Sequence, residues 1–213
     1  IPQQTVQQIH DDFAYWYPVD IRTSGKDLVA NHLLFFLYHH VAVFPERLWP
    51  RAIAVNGFVS LEGQKMSKSK GPLLTLHQAV AENGADVTRL YILGNAEGTA
   101  DVDWRNEGVE ATRVHLERFY NFAREVLADA SIDEKAENTL VDRWMLSRLQ
   151  RRIAEATEAM QQIQTRRALQ SAFYLLFNDL RWYQRRGGKN QLRAVLSAWV
   201  RMMTPFTPHV CEE

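Results

Sequence analysis

The chain has 213 residues, of which 46% are hydrophobic and 23% charged, and its 25 basic and 25 acidic side chains give a formal net charge of zero. This composition is ordinary for a soluble globular protein, and the length permits one or two domains. No apolar run approaches the roughly 20 residues of a membrane span. A single cysteine, Cys211, excludes an internal disulfide and a cysteine-rich zinc knuckle. We therefore expect a cytoplasmic protein with no membrane partner.

The zero net charge conceals an uneven distribution along the chain. Residues 141–213 carry twelve basic and six acidic side chains, and eleven of the twelve cations are arginine. Because the planar guanidinium suits phosphate better than the point charge of lysine, this third of the chain is a candidate surface for nucleic acid. The alternative interpretation is a set of solvated helix faces.

The first part of the chain has the pattern of a strand–helix–strand unit. The predicted elements are a helix end over 4–14, a strand entered through 15–22, a turn at 24–27, a helix over 27–43 and a buried strand over 52–55. The longest apolar run, Leu33 to Leu37, is expected in a buried helix. This arrangement is typical of a βαβ crossover in a parallel sheet.

A basic loop bracketed by Gly63 and Gly71 follows a hairpin expected at 58–62. The loop contains no carboxylate, and its central residues are Lys65, Met66, Ser67, Lys68 and Ser69. Mobile lysines and hydroxyl donors are what a polyphosphate requires, whereas the plainer alternative is a solvated basic turn. The glycine pattern of a Walker-type phosphate loop is absent.

A second candidate site is the turn Gly25-Lys26-Asp27 at the end of the first predicted strand. Glycine lets the backbone approach a sugar, and the aspartate can accept hydrogen bonds from ribose hydroxyls. Asp27 fits equally well as a helix N-cap. Ligands of open α/β sheets bind outside the carboxyl ends of the strands, so we expect this turn and the basic loop to converge.

The rest of the chain is predicted to be helical. Thr75-x-x-Gln78 has the capping-box pattern and opens a helix that ends at Asn83-Gly84, and a second helix runs from Asp86 to Gly94-Asn95. The acidic segment 97–105 is expected to be a connector without chemistry of its own. Four amphipathic helices follow from about Asn106, and their short connections favour an antiparallel bundle. Thr207-Pro208 opens a fifth helix.

The histidines of the helix predicted over 27–43 and the arginines of the bundle are the remaining candidate functional side chains. His32, His39 and His40 have no carboxylates or cysteines at ligand spacing, so no metal site is predicted. In the bundle, arginines lie among Trp182, Tyr183 and Trp199; aromatic residues there are expected to face the core, and the arginines are the better candidates for RNA contact. The candidate RNA-binding residues are Arg143, Arg151, Arg152, Arg181, Arg185 and Arg186.

The sequence resembles the class I aminoacyl-tRNA synthetases, and within them the leucyl enzymes of archaeal and eukaryotic type. Lys-Met-Ser-Lys-Ser at 65–69 is the signature of the class, and the similarity extends along nearly the whole chain. The other segments that carry it are 15–20 (YWYPVD), 24–27 (SGKD), 31–33 (NHL), 55–58 (VNGF), 84–90 (GADVTRL) and 205–209 (PFTPH).

The resemblance implies an α/β plus all-α architecture. Residues 1–72 would be the C-terminal half of a Rossmann-type catalytic domain, 73–107 a stem-contact connector, and 108–213 part of an anticodon-binding helix bundle. Lys65 and Lys68 would be catalytic, and Gly25, Asp27 and the loop 65–69 would bind ATP. The implied substrates and partners are leucine, ATP with Mg²⁺ bound by the complete enzyme, and tRNA(Leu), and the implied parent enzyme is a monomer.

The His-x-Gly-His element of the class occurs nowhere in the chain. Because half an active site cannot orient both substrates, we expect a fragment that does not form the adenylate by itself. Two alternatives stay open at this point. The first is a non-catalytic tRNA-binding protein derived from a synthetase, and the second is a class I synthetase for isoleucine, valine or methionine.

Overall fold

The computed structural model of the chain describes residues 1–67, 69 and 71–213. It contains two compact units: the first unit is Ile1–Phe58 with Gly98–Asp101, and the second unit is Val59–Glu97 with Val102–Glu213. Most residues are helical, and the strands form one small parallel pair and one small mixed sheet. In the described part of the chain, no helix combines the length and the apolar character that crossing a bilayer would need.

The first unit contains the predicted strand–helix–strand arrangement. Its elements are α1 (Gln3–Trp16), β1 (Arg22–Gly25), a 3₁₀ turn (Lys26–Leu28), a π-helical segment (Val29–Leu33), α2 (Leu34–Val43), a 3₁₀ turn (Glu46–Leu48) and β2 (Ile53–Asn56). β1 and β2 pair in parallel, from Arg22 opposite Ile53 to Gly25 opposite Asn56. The first strand therefore extends further than predicted, because pairing with β2 holds Ser24 and Gly25 extended despite their turn preference.

The expectation of a buried helix over Leu33–Leu37 is wrong. Only one face of the helical segment is packed, where Phe36 and His40 meet an aromatic cluster with Phe13, Tyr17 and Phe44. Leu34, Phe35 and Leu37 remain 44%, 62% and 40% exposed. The run is helical and apolar as predicted, but the first unit has too few elements to cover more than one side of this helix.

The second unit begins with a three-stranded sheet in the order β4–β3–β5. β3 (Val59–Leu61) and β4 (Gln64–Lys65) form a hairpin that is longer than the one predicted at 58–62 and includes the first lysine of the basic loop; β5 (Val102–Trp104) pairs in parallel with β3. The expectation that 97–105 is only a connector is therefore wrong. Val102 and Trp104 are 6% and 2% exposed, and they alternate with the aspartates in the pattern of a half-buried strand.

The helices of the second unit largely follow the predicted pattern. They are α3 (Leu76–Asn83), α4 (Ala85–Asn95), α5 (Asn106–Ala128), α6 (Leu140–Gln161), α7 (Thr165–Leu169), a π-helical segment (Gln170–Leu175), α8 (Leu176–Arg185), α9 (Leu192–Met203) and α10 (Pro208–Glu212). Thr75 and Gln78 form the predicted capping box reciprocally, since each side chain bonds the other residue's backbone N–H. Thr139 and Asp142 do the same at the start of α6.

The core of the second unit is centred on Trp199, which is fully buried. Its ring lies 4.6 Å from that of Phe119 and 5.7 Å from those of Phe122 and Phe177. The predicted amphipathic pattern fails at the end of α6, because Met160 is 38% exposed and Ile163 lies beyond the helix with φ of 58° and is 46% exposed. Elsewhere the 3.6-residue period places the stripes correctly in this core.

Candidate functional site

The turn after β1 shows why a glycine precedes Asp27 by two residues. A Cβ on Gly25 would lie 2.6 Å from Asp27 Oδ1, so the aspartate occupies the space that a side chain at this position would need. Gly25 is the N-cap of the 3₁₀ turn, and Asp27 lies inside that turn. The carboxylate of Asp27 is exposed rather than used as a helix cap, which leaves it available to a ligand.

Lys26 is held by a segment far along the chain. Its Nζ lies 2.6 Å from Asp101 Oδ1 and 3.3 Å from the carbonyl oxygen of Thr99, and it sits over the ring of Phe58. Asp101 also accepts from the Phe58 backbone N–H at 2.7 Å. The hydrogen bond from Lys26, followed by that from Phe58, lowers the pKa of Asp101. The sequence analysis did not predict a role for this carboxylate, although the alternation of acidic and apolar residues over 101–104 is the pattern of a half-buried strand.

The basic loop lies in the second unit, and hydrogen bonds join residues near its two ends. Lys65 is the last residue of β4 and pairs with Ser60. The Ser67 backbone N–H donates to the carbonyl oxygen of Pro72 at 3.3 Å, and the Ser69 N–H lies 3.4 Å from Ser67 Oγ. Lys65 and Ser69 are exposed, whereas Met66 and Ser67 are half-buried.

The catalytic assignment of Lys68 lies outside the described residues, as does Lys70. Gly25 and Asp27 belong to the first unit, and the loop from Lys65 belongs to the second. The expected convergence of the two candidate sites therefore stays a prediction.

The candidate RNA-binding arginines fall into two groups. Arg143, Arg181, Arg185 and Arg186 are exposed, and none of them forms an ion pair with a carboxylate in the described part of the chain. Arg151 is exposed but lies 2.9 Å from Glu155. The first group therefore has charge available for a phosphate.

Arg152 does not fit the predicted role. Its side chain is 6% exposed, and its guanidinium lies 2.8 Å from both Asp179 and Glu155. This buried guanidinium is neutralised by two carboxylates, joins α6 to α8 through Asp179, and is closed to phosphate. Ser171 donates to Glu155 at 2.6 Å; with Arg151 and Arg152 this bond lowers the pKa of Glu155 to about 2.

The aromatic residues among the arginines also fall into a buried group and a more exposed one. Tyr183 and Trp199 are fully buried, as expected. Trp182 is half-buried and lies against Trp144 with ring centroids 3.9 Å apart, and Arg186 Cζ lies 3.7 Å from the Trp182 centroid.

Over the described ranges 1–67, 69 and 71–213, no three histidine, cysteine or acidic side chains are grouped to hold a metal ion.

Comparison with known proteins identifies the class. Residues 3–123 match the family described as tRNA synthetases class I (M), and residues 142–213 match the anticodon-binding domain of tRNA ligase. The chain therefore belongs to the class I tRNA synthetases.

Its curated relatives are more specific. The chain is 76% identical over 209 residues to a leucine–tRNA ligase of Methanothrix thermoacetophila, covering 98% of this chain and 22% of that protein. It is 50% identical over 220 residues to a leucine–tRNA ligase of Pyrococcus horikoshii, covering 100% of this chain and 23% of that protein. The chain thus spans about a fifth of the length of the curated relatives it matches.

A solved structure has the same fold over most of the chain. It is the ternary complex of an Agrobacterium radiobacter LeuRS with tRNA and LeuAMS. The TM-score is 0.77 at 26% sequence identity, with 92% of this chain and 26% of that chain covered.

The close approach at Gly25 gives a testable prediction for the full-length polypeptide that carries these residues. If Asp27 binds ATP, as the resemblance implies, Gly25→Ala should displace its carboxylate and raise the KM for ATP about 10-fold, the loss expected for one hydrogen bond to a charged group. The free energy of unfolding should change by less than about 0.5 kcal/mol, because the displaced atom ends a flexible side chain.

The matched control is Gly94→Ala, whose new Cβ would make only ordinary contact with Leu169 at 3.6 Å. Steady-state kinetics with varied ATP measure the effect. An unchanged KM in the Gly25 variant would contradict the assignment of Asp27 to ATP.

Proposed function

We propose that this chain is part of a leucine–tRNA ligase, which activates leucine with ATP and transfers the leucyl group to tRNA(Leu). The observation that carries the proposal is the 76% identity, over 98% of the chain, to a protein of that name. The match of residues 3–123 to the class I tRNA synthetases supports the class, and the leucine specificity rests on the curated relatives. A cytoplasmic location and a monomeric parent enzyme belong to the same proposal.

The architecture proposed from the resemblance has support in both units. The parallel pairing of β1 with β2 across a helical crossover supports a Rossmann-type half-domain within 1–72. The helices from Asn106 onward, packed around Trp199, support an antiparallel bundle of anticodon-binding type within 108–213. Residues 73–107 are the proposed stem-contact connector. This division describes function, whereas the two compact units describe packing.

The proposed chemistry needs cations where pyrophosphate departs. A carboxylate oxygen of leucine attacks the α-phosphorus of ATP. The bond between the α-phosphorus and the oxygen that bridges it to the β-phosphorus breaks, and its electron pair leaves with pyrophosphate. Lys65 and Lys68 would stabilise this growing charge, and such stabilisation acts more on the transition state than on bound ATP. In this class ATP is typically used with Mg²⁺, which would supply further charge neutralisation on the phosphates.

The remaining loop residues and the first-unit turn have supporting roles in this proposal. Ser67 already orients the backbone of Ser69 through its hydroxyl, and both side chains would add hydrogen bonds to phosphate oxygens. Met66 is half-buried and would anchor the loop. Gly25 and Asp27 would accommodate the ribose, with Asp27 accepting from its hydroxyls.

The tRNA would meet the second unit through its exposed arginines. Arg143, Arg181, Arg185 and Arg186 are proposed to contact phosphates, because each is exposed and none is neutralised by a carboxylate among the described residues. Arg151 is a weaker candidate, since Glu155 competes for its guanidinium. Phosphate contacts of this kind position a structured RNA without reading its sequence.

The phosphate clamp is tested by Lys68→Ala in the full-length polypeptide. Leucine-dependent ATP–pyrophosphate exchange should slow about 100-fold, as expected when one preorganised donor to the transition state is lost. Affinity for tRNA(Leu) should stay unchanged. Lys135→Ala, at an exposed lysine in the α5–α6 loop, is the control. An exchange rate equal to that of the control would refute the clamp.

The arginine surface is tested by the salt dependence of tRNA(Leu) binding. Replacing Arg181, Arg185 and Arg186 by alanine should reduce the slope of log K against log salt by about 0.7 to 0.9 for each phosphate that the variant no longer neutralises. The control variant replaces three other exposed cations, Arg118 and Arg124 on α5 and Lys135 in the α5–α6 loop. Fluorescence anisotropy at several salt concentrations gives the slopes. Equal slopes in the two variants would make these arginines merely solvated.

A further inference from the structure

Asp103, in the middle of β5, binds the hairpin that leads into the basic loop. Its Oδ1 accepts from the Gly63 backbone N–H at 2.8 Å and lies 2.9 Å from Ser60 Oγ. Its Oδ2 accepts from Arg105 Nε at 2.7 Å. The bond from Gly63, followed by that from Arg105, lowers the pKa of Asp103, so the carboxylate is ionised at neutral pH.

The turn that Asp103 holds has an unusual backbone. Glu62 and Gly63 have φ of 50° and 77°, the pair of left-handed residues that a type I′ two-residue hairpin loop requires. Glycine adopts this region freely, but a glutamate there is strained and needs compensating contacts.

Those contacts come from β5 and the start of α5. The Glu62 N–H donates to the carbonyl oxygen of Trp104 at 2.9 Å, and Glu62 Oε1 accepts from the Asn106 N–H at 2.9 Å. Together with the bond from Gly63 to Asp103, they fix both residues of the turn.

The hairpin is otherwise held through β3, which pairs with β5 and packs Val59 and Leu61 against the core, whereas the turn and β4 lie beyond that pairing. β4 consists only of Gln64 and Lys65, and a two-stranded hairpin of this size is marginal by itself. β5 is anchored firmly, because Val102 and Trp104 are buried in the core of the second unit. Asp103 therefore connects this buried strand to Gly63, which lies two residues before Lys65.

We infer that Asp103 is a positioning residue for adenylate formation: it holds the β3–β4 turn so that Lys65 and the loop after it start from a fixed point. The inference rests on the proposed function of the basic loop. Asp103 touches no substrate in this account. It acts by limiting the displacement of the lysines, and a displacement of about 1 Å can cost about 100-fold in rate.

The test compares single-turnover leucyl-adenylate formation with transfer from preformed adenylate to tRNA(Leu), in the full-length polypeptide. Asp103→Ala should slow adenylate formation about 10- to 100-fold. The transfer rate should be unchanged, since the transferring step no longer involves pyrophosphate. Asp103→Asn should keep most of the activity, because its amide oxygen can still accept from Gly63.

Arg105→Ala is the matched control. It removes the ion pair on the other carboxylate oxygen but leaves the bonds to Gly63 and Ser60 in place, and its side chain is 66% exposed. It should form adenylate at nearly the rate of the unchanged protein. If Asp103→Ala does not fold, Ser60→Ala replaces it; removing one of the two hairpin donors should slow adenylate formation about 3- to 10-fold, the effect of one hydrogen bond.

The outcomes separate the two proposals. If Lys68→Ala slows adenylate formation while Asp103→Ala (or Ser60→Ala) does not, the positioning role is wrong and the proposed function stands. If Lys68→Ala has no effect either, the proposed phosphate-clamp function of the basic loop fails as well. Equal slowing of adenylate formation and transfer by Asp103→Ala would show a merely structural role and would overturn the inference.

Discussion

The alternation of side chains along β5 is the constraint on which the second unit's basic loop depends. Val102 and Trp104 enter the core of that unit, and Asp103, between them, faces the hairpin turn and binds Gly63. A strand of three residues therefore joins a rigid helical core to the start of a loop that sequence reasoning assigned to phosphate binding. Asp101, the residue before the strand, belongs to the first unit, where it binds Lys26 and the Phe58 N–H.

Local patterns made the helices and the hairpin predictable, because their signals lie within a few residues. The capping box of Thr75 and Gln78 formed as predicted, and one face of the amphipathic helix α5 is buried. β5 was missed because its partner β3 lies some forty residues away, and only that pairing makes the acidic segment a strand. The burial of Leu34 and Phe35 was misjudged because hydropathy does not state what covers a helix face.

The candidate site residues stay predictions, and the structure adds the local surroundings of those that it describes. The lysine signature and the Gly25–Asp27 turn follow from motif and spacing, and the structure adds that Asp27 fills the space beside Gly25. Charge counting could not separate Arg152 from its neighbours, because its partner Asp179 is supplied by another helix. The arginines that stay exposed and have no carboxylate partner among the described residues were therefore distinguishable only in three dimensions.

The central claim is that these residues belong to an enzyme that charges tRNA(Leu) with leucine, and aminoacylation by the full-length polypeptide tests it most directly. The assay offers leucine, isoleucine, valine and methionine in parallel, each with its own tRNA. We predict a kcat/KM for leucine at least about 100-fold above the others, the discrimination available to an apolar pocket. Preferential charging with another of these amino acids, or no charging at all, would contradict the account.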